Sequence, residues 1–255
     1  MNERLAALEE IVRAAGLMAL SLRDKLEVTR KPDGTVVTQA DVVVEKFLHE
    51  KLSALVPEAG FLGEENTSTN LQGQKHLWVV DPIDGTDAYR LGLAYFGVNV
   101  ALAVDCQPVL GAFYNPFMDE MYLAAAGEGA TLNGEPIHVR MGISLDDVSL
   151  ALGPSNFHRY YAMELPIKMH SLGSTAQHFA MVAEGRACCV FCRPHIWDIA
   201  AGVLLVSEAG GMTRMLKGDE FCFRDYLENS LFKRPVLAAP PDIWEQLAGK
   251  IRWKL

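Results

Sequence analysis

Residues 77–86 read LWVVDPIDGT, a run of apolar residues that ends in two aspartates three positions apart. The apolar run predicts a buried strand, and the Pro and Gly beside the aspartates predict a sharp turn at its exit. Asp81 and Asp84 then lie on one short bend, where paired carboxylates can chelate a hard cation such as Mg²⁺. A plain strand-to-turn transition uses the same residue types and is the alternative interpretation.

Four other acidic residues have ordinary explanations when each is taken alone. Glu64 and Glu65 follow a short apolar strand, where adjacent acids are usually just solvated. Asp198 opens an apolar helix, where aspartate is a favoured cap, and Asp41 falls in the first turn of another helix, where a carboxylate meets the positive end of the helix dipole. The backbone N–H groups of the 81–86 bend and the Thr86 hydroxyl could face a phosphate, and the acidic positions are more informative together than each one alone.

The composition excludes several classes of protein. The chain has 255 residues and a formal net charge of −9, with no run of Lys or Arg, which argues against a nucleic-acid polymer as partner. No uninterrupted apolar stretch is long enough to predict a membrane span, and the N-terminal residues do not resemble a signal peptide. The five cysteines are odd in number and lack framework spacing, so we expect reduced thiols and a cytoplasmic location.

The order of predicted elements indicates layers of helices and sheets. Apolar residues from Leu5 to Leu26 recur at three- and four-residue steps, which predicts one face of a helix, with a coiled coil as the alternative. A second helix is predicted from Thr38. Strands dominate from His76 onward, with a hairpin turn at Asn133-Gly134 and residues 137–139 as its returning strand. Residues 150–166 are expected to be a long connection, and helices then alternate with strands. This order favours a layered α/β (α+β) fold over a doubly wound series.

Four motifs carry a resemblance to one family. They are Val37-Thr-Gln-Ala-Asp41, Gly63-Glu-Glu65, Asp81-Pro-Ile-Asp-Gly-Thr86 preceded by Trp78, and Trp197-Asp-Ile-Ala-Ala-Gly202 followed by Glu208-Ala-Gly-Gly211. In this order and spacing the sequence closely resembles the inositol monophosphatase family of metal-dependent, lithium-sensitive phosphatases. The matching positions run from about residue 30 to about residue 240.

The resemblance implies a fold and an assembly. The family fold is an alternating α/β/α/β/α sandwich of the inositol monophosphatase/fructose-1,6-bisphosphatase type, and many members are homodimers. We therefore expect one phosphatase domain over residues 1–255. Two tightly joined lobes are the alternative, a metal-binding lobe at about 1–140 and a substrate-side lobe at about 141–255.

The resemblance also implies the metal ligands, with two or three Mg²⁺ ions per site. Glu64, Asp81 and the Ile83 carbonyl would hold one ion, and Asp81, Asp84 and Asp198 would hold a second. A third, looser ion would lie near Glu64. In two-metal sites the ions lie roughly 3.5–4 Å apart, and such ions activate water and stabilise the leaving oxygen.

Further roles follow from the same resemblance. Thr86, backed by Asp41, would orient or deprotonate the attacking water, with Glu65 in support, so no covalent phosphoenzyme is expected. The Gly85 and Thr86 amides would hold phosphate oxygens. The full set implied to contact substrate is Asp84, Gly85, Thr86, Gly173, Ser174, Thr175, Arg193 and Asp198.

The sequence departs from the inositol-cleaving pattern at two places. Family members that cleave inositol phosphate usually carry an Arg shortly before the glycine that matches Gly173 and a Glu seven residues before the aspartate that matches Asp198. Here His170 and Phe191 stand at those places. Arg193 is placed either to meet a second anionic group or to pair with a surface acid, and the sequence does not decide between these two.

The expected function is therefore that of a Mg²⁺-dependent phosphomonoesterase acting on a small phosphorylated metabolite of the inositol, sugar or polyol phosphate class. The alternatives with the same chemistry are a histidinol-phosphatase, a fructose-1,6-bisphosphatase and a 3′(2′),5′-bisphosphate nucleotidase. A non-catalytic binding protein is an alternative from another class. That alternative gives no chemical reason for the chain to keep its carboxylates and Thr86.

Overall fold

The computed structural model of the protein describes residues 3–25, 28–30, 36–65, 68–69, 71, 73–105, 107–146, 149–227 and 230–254. The helices are α1 Glu3–Leu22, α2 Gln39–Leu55, α3 Thr86–Arg90, α4 Phe157–Tyr160, α5 Thr175–Ala183, α6 Ile196–Glu208 and α7 Pro241–Lys250, with short 3-10 helices at Arg23–Lys25 and Phe223–Tyr226. Within the described residues, no helix has the length and apolar character needed to cross a membrane.

The strands form two large sheets and two small ribbons. They are β1 Val28–Arg30, β2 Val36–Thr38, β3 Gly60–Gly63, β4 Ser68–Thr69, β5 His76–Asp84, β6 Gly97–Val104, β7 Gln107–Asn115, β8 Glu120–Ala125, β9 Gly129–Leu132, β10 Glu135–Pro136, β11 Leu150–Leu152, β12 Tyr161–Met163, β13 Lys168–His170, β14 Cys189–Cys192, β15 Met212–Met215, β16 Val236–Ala239 and β17 Ile251–Trp253. The larger sheet has the order β10-β9-β8-β7-β6-β5-β3-β4, and the smaller sheet β13-β11-β14-β16-β15. The ribbons are β1-β2 and β12-β17.

Alternating side chains on the strands assign the sheets to layers. In β5, Trp78 and Val80 belong to a core that also contains the buried faces of α1 and α2, whereas Leu77 and Val79 belong to a core that contains α5 and α6. Strand neighbours point to opposite faces of a sheet, so the larger sheet lies between these two helix pairs.

The smaller sheet separates α5 and α6 from α7 in the same way. Val190 faces the core that contains α5 and α6, while Phe191 faces a third core with Trp244 of α7. The five layers are therefore α1 and α2, the larger sheet, α5 and α6, the smaller sheet, and α7. This is the α/β/α/β/α sandwich that the resemblance implied, and a layered α/β fold class is confirmed.

Helix α6 lies unusually close to the larger sheet because small residues line the contact. A Cβ atom added at Gly111 in β7 would lie 3.2 Å from the Ala201 Cα and 3.4 Å from its carbonyl oxygen. On the same helix, a Cβ added at Gly202 would lie 2.6 Å from the Phe179 Cβ of α5. These contacts fix the distance of α6 from both neighbours.

Three local expectations differ from the structure. The hairpin at Asn133 and Gly134 returns through β10, two residues long, and residues 137–139 are not a strand. Residues 150–163 hold β11, α4 and β12 instead of a long connection, because their pairing partners lie far away in the sequence. Cys188, Cys189 and Cys192 are free thiols, whereas Cys222 is disulfide-bonded, so the expectation of reduced thiols is wrong for Cys222.

Candidate active site

The LWVVDPIDGT segment forms the end of β5 and the start of α3. Pairing with β6 continues through Asp84, but the register shifts between Asp81 and Asp84. The Ile83 N–H donates to Asp81 Oδ1 at 3.0 Å, which holds that carboxylate inside the irregularity. Gly85 then turns the chain with φ of 90°, where a Cβ would lie 2.9 Å from the Tyr95 carbonyl oxygen. The turn therefore requires glycine in both its conformation and its space.

Three of the predicted metal ligands converge from two elements. Asp81 and Asp84 come from β5, and Asp198 is the third residue of α6, where its Oδ2 accepts the His195 N–H at 2.8 Å. One oxygen from each of the three carboxylates lies within 4.8 Å of the others. Asp198 thus caps its helix and also reaches the cluster, so the capping role and the ligand role are compatible.

Burial and mutual repulsion make these carboxylates hard to ionise together. Burial, followed by repulsion from Glu64 and Asp84, raises the pKa of Asp81 well above its usual range. Burial and repulsion from Asp84 raise the pKa of Asp198 in the same direction. Burial raises the pKa of Asp84 to about 7, although hydrogen bonds to its carboxylate lower it. A cation bound among them would favour the ionised forms.

The site fits a hard divalent cation. Its donors are carboxylate oxygens, which Mg²⁺ and Ca²⁺ prefer, and the described part of the chain brings no sulfur or imidazole into this group of three. Asp81 is 1% exposed and Asp84 is 6% exposed, so water alone cannot compensate their charges. The chemistry of the donors therefore agrees with the metal ligands that the sequence predicted.

Thr86 is joined to Asp41 next to the carboxylate cluster. The Thr86 hydroxyl lies 3.2 Å from Asp41 Oδ1 and 3.0 Å from the Ile83 carbonyl oxygen, so its single proton has two possible acceptors. Asp41 is fully buried, and its other oxygen accepts the Thr38 N–H at 2.8 Å. Burial raises the pKa of Asp41 to about 6, against the lowering effect of the Thr38 hydrogen bonds.

The Gly63–Glu65 turn is supported by an acid that sequence reasoning missed. Glu45, 1% exposed, lies on α2, and its Oε2 accepts the Glu65 N–H at 2.7 Å. A Cβ added at Gly63 would lie 2.4 Å from the same oxygen, so a side chain there would displace the Glu45 carboxylate. The Glu64 N–H donates to the Val80 carbonyl oxygen at 3.2 Å, which ties the turn to β5. The sequence does indicate a buried carboxylate at Glu45, because this residue follows Asp41 by one helical turn on the apolar face of α2.

The predicted segment Gly173–Thr175 contacts the cluster through Asp84. The Ser174 hydroxyl donates to Asp84 Oδ2, and the Ala176 N–H donates to the same oxygen at 2.6 Å. The Thr175 N–H donates to Asp84 Oδ1 at 3.3 Å. The start of α5 therefore holds Asp84 in place, and Ser174 itself is fully buried.

Asn99 is a second residue that sequence reasoning missed. It lies on β6 directly opposite Asp81 and is fully buried. Its amide nitrogen donates to the Trp197 carbonyl oxygen at 2.6 Å, which connects the larger sheet to the start of α6. The sequence signal is an amide in an otherwise apolar strand, between Val98 and Val100.

The two residues that depart from the inositol-cleaving pattern lie in different environments, one buried and one exposed. Phe191, at the place of the family's Glu, is fully buried, and its ring packs edge-on against Tyr161 at 5.1 Å between centroids. His170, at the place of the family's Arg, is exposed. Arg193 is also exposed, and its Nε donates to the Phe232 carbonyl oxygen at 2.8 Å. No acidic partner of Arg193 exists among the residues that the structure describes.

Comparisons with known proteins agree with this geometry. The profile of the inositol monophosphatase family matches residues 1–254. An inositol-1-monophosphatase of Mesorhizobium japonicum is 36% identical over 243 residues, covering 89% of this chain and 90% of that protein. A 3′(2′),5′-bisphosphate nucleotidase CysQ of Aggregatibacter actinomycetemcomitans is 34% identical over 199 residues, covering 72% of this chain and 74% of that protein.

Solved structures share the fold. The extragenic suppressor protein suhB from Bartonella henselae superposes with a TM-score of 0.83 at 28% identity, covering 97% of this chain and 98% of that one. The proteins of this family are metal-dependent phosphatases, which are phosphoric monoester hydrolases. By its sequence, its layers and its carboxylate cluster, the chain described here belongs to the inositol monophosphatase family.

Proposed function

We propose that the protein is a Mg²⁺-dependent phosphomonoesterase that hydrolyses a small phosphorylated metabolite by direct attack of water. The observation that carries this proposal is the convergence of Asp81, Asp84 and Asp198 within 4.8 Å, beside the Thr86–Asp41 pair. A binding protein would have no chemical need for buried carboxylates and a hydroxyl in this arrangement. Membership of a phosphatase family supports the same conclusion.

The roles proposed for the side chains combine their contacts with the family resemblance. Asp81, Asp84, Asp198, Glu64 and the Ile83 carbonyl would hold two or three Mg²⁺ ions, which supply water of lowered pKa and neutralise phosphate charge.

When the Thr86 hydroxyl donates to Asp41, its oxygen lone pairs are available to accept a hydrogen bond from the attacking water. Thr86 can then take up the water's proton while its own proton passes to the Asp41 carboxylate. Asp41, with a pKa of about 6, is close enough to neutrality to take up a proton and release it again. Glu65 supports this pair, and the Gly85 and Thr86 amides would bind phosphate oxygens.

The substrate is a sugar, polyol or amino-alcohol phosphate in the first instance, and inositol monophosphate is disfavoured. Recognition of inositol hydroxyls through a Glu is impossible at Phe191, whose ring is buried against Tyr161. A histidinol-phosphatase, a fructose-1,6-bisphosphatase and a 3′(2′),5′-bisphosphate nucleotidase remain the alternatives. The CysQ relative supports the last of these.

A phosphate-release screen tests the proposal. Purified protein is incubated with inositol, histidinol, fructose and adenosine phosphates, with Mg²⁺ and after exhaustive treatment with EDTA. We expect Mg²⁺-dependent release from at least one class, and inhibition by Li⁺ and by excess Ca²⁺, whose longer bonds and extra ligands would misplace the water. Full turnover after EDTA treatment would contradict the proposal.

We also propose that the protein is a homodimer. Leu91, Leu93 and Phe117 are large apolar side chains that are 60%, 50% and 54% exposed. Leu93 and Phe117 flank Arg23, which donates to the Leu93 carbonyl oxygen and lies 5.6 Å from the Phe117 ring centroid. Light scattering on the eluting protein should give twice the chain mass, and Leu93→Glu with Phe117→Glu should reduce it to the mass of one chain.

The proposed location is the cytoplasm. Cys188, Cys189 and Cys192 are buried free thiols, which agrees with a reducing compartment, although the bonded state of Cys222 shows that not every cysteine follows this pattern. Cell fractionation with an antibody against the protein tests the location.

A further inference from the structure

A cleft of about 320 Å³ is lined by Pro154, Asn156, Tyr160, Tyr161, Arg193 and Trp253. Strands β11 and β14 are parallel neighbours, so their carboxyl ends reach the same edge of the smaller sheet. Pro154 follows the end of β11 by two residues, and Arg193 follows β14 directly. In open α/β sheets ligands bind outside the carboxyl ends of the strands. Asp198 follows Arg193 by five residues, so the cleft and the carboxylate cluster lie along one edge.

Arg193 is fixed at one end and free at the other. Its Nε donates to the Phe232 carbonyl oxygen, and its guanidinium carbon lies 5.9 Å from the centroid of the Trp253 ring. The guanidinium has five N–H donors in a planar fork, and the Phe232 contact uses one of them. The two terminal amino groups make no hydrogen bond to the described protein residues. Because the Phe232 contact already restrains the guanidinium group, less conformational entropy is lost when the group binds an anion.

The charge around Arg193 is not balanced locally. None of the described side chains that line the cleft is acidic. Acidic residues outnumber basic residues in the chain, whose net charge is −9. An arginine without a described carboxylate partner is therefore unusual in this protein. By contrast, Arg252 lies on the same strand as Trp253 and is paired with Glu164. The cleft therefore presents one unneutralised cation against aromatic walls.

We propose that this cleft binds a second anionic group of the substrate, a phosphate or a carboxylate, so that the enzyme prefers phosphate esters that carry two anionic groups. The proposal rests on the proposed phosphomonoesterase function and narrows its substrates to esters that carry a second anionic group. Arg193 binds the second anion in a bidentate contact, while the reacting phosphate lies at the carboxylate cluster. Phe191 agrees with this class, since the polar group that would contact a neutral polyol is replaced by a buried ring.

Matched substrate pairs test this proposal. Adenosine 3′,5′-bisphosphate is compared with adenosine 3′-monophosphate, and 3-phosphoglycerate with glycerol 3-phosphate, each with saturating Mg²⁺. The variants are Arg193→Ala and Arg193→Lys, and Arg252→Ala is the matched control because it removes the same charge from the adjacent surface. Melting temperatures of all variants are recorded, so that kinetic changes are read only for folded proteins.

We expect the doubly anionic member of a pair to have the lower KM in the unaltered protein. Arg193→Ala should raise that KM by about 10- to 100-fold, as expected for a lost charge-assisted hydrogen bond, with the singly anionic partner nearly unchanged. Arg193→Lys should recover part of the loss, because a lysine keeps the charge without the fork. Arg252→Ala should leave both members unchanged.

The outcomes separate this inference from the proposed function. A preference in the nucleotide pair identifies phosphate as the second group, and a preference in the glycerate pair identifies carboxylate. Hydrolysis of all four esters with equal KM values, unaffected by Arg193→Ala, would overturn the inference while leaving the phosphatase intact. Failure to release phosphate from any ester, in this set or in the wider screen, would instead remove the proposed function and the inference with it.

Discussion

The carboxylate cluster and the Arg193 cleft are neighbours with opposite construction. In the cluster, Asp81 and Asp84 are almost fully buried, and the carboxylates of Asp81, Asp84 and Asp198 accept hydrogen bonds from backbone or hydroxyl donors. In the cleft, Arg193 is exposed, and aromatic side chains from segments distant in sequence form the walls. Because buried, hydrogen-bonded groups are costly to rearrange, the cluster suits a fixed chemistry, and the cleft suits a changeable specificity.

The largest effect should come from the cluster, through Asp81→Asn. The amide cannot replace a carboxylate between cations, so we expect kcat to fall by at least about 100-fold, a loss of about 2.7 kcal/mol or more. Metal affinity, measured by titration calorimetry, should fall as well. Asp219→Asn, which alters an exposed aspartate paired with Arg234, is the control and should have no effect. Retention of more than about a tenth of the original kcat would show that the metal assignment is wrong.

The next effect concerns the step that follows binding. Thr86→Ala removes the hydroxyl that contacts Asp41 and the Ile83 carbonyl, and kcat should fall by about 10²- to 10⁴-fold with KM nearly unchanged. Thr86→Ser keeps the hydroxyl and should retain much of the rate. The pair is measured by steady-state kinetics. A phosphorylated side chain trapped during turnover would contradict the direct attack of water.

A third prediction uses stability instead of activity. Without metal, the pKa values of Asp41 and Asp84 in the folded protein are about 6 and about 7, raised from 3.8. The protonated carboxyl groups therefore contribute fully to the stability of the folded protein below about pH 4. That contribution is lost as the pH rises through 6 to 7. In EDTA the melting temperature should therefore fall between pH 5 and pH 8. The increase caused by Mg²⁺ should be larger at pH 8, where protons no longer compete for the carboxylates.

For a chain of this length, each kcal/mol of stabilisation by Mg²⁺ should raise the melting temperature by about 2–4 °C. Asp84→Asn should reduce both the pH dependence in EDTA and the response to Mg²⁺, as followed by differential scanning fluorimetry. An equal Mg²⁺ response at the two pH values would contradict the assignment of these carboxylates as the site.

The smallest effect should come from the cleft wall. Trp253→Leu removes the ring beside the Arg193 guanidinium, a contact worth about 0.5–1 kcal/mol at an exposed site. We expect KM for a doubly anionic ester to rise by about 2- to 5-fold, and the effect should vanish in an Arg193→Ala background. An equal change in both backgrounds would mean that Trp253 acts without Arg193.

The same contrast explains what the sequence could and could not predict. The proposed metal ligands lie in short motifs, so Asp81, Asp84 and Asp198 could be found from local chemistry and the family resemblance. The capping of α2 by Thr38 and Asp41 was likewise local. The order of the layers came from the resemblance alone, because periodicity gives the buried face of an element and not its neighbour.

What escaped prediction depends on contacts between distant segments. Strand β12 has three residues and pairs with β17 about ninety positions later, with Tyr161 opposite Trp253. No short-range sequence pattern predicts the pairing of two strands so far apart, so residues 150–166 were expected to be a connection. Glu45 was missed for a different reason, since a helix position that is acidic but buried contradicts the usual polarity rule unless its partner, the Glu65 amide, is known.

The close contact between Gly111 and Ala201 has a consequence for laboratory evolution of this protein. A side chain at position 111 would push the backbone of α6 by a few tenths of an ångström, and the start of that helix carries Asp198. A library that varies Gly111 would therefore disturb the helix that carries Asp198, although the residue lies outside the carboxylate cluster. Variation confined to the walls of the Arg193 cleft leaves that helix where it is, and screens for altered substrate preference should begin there.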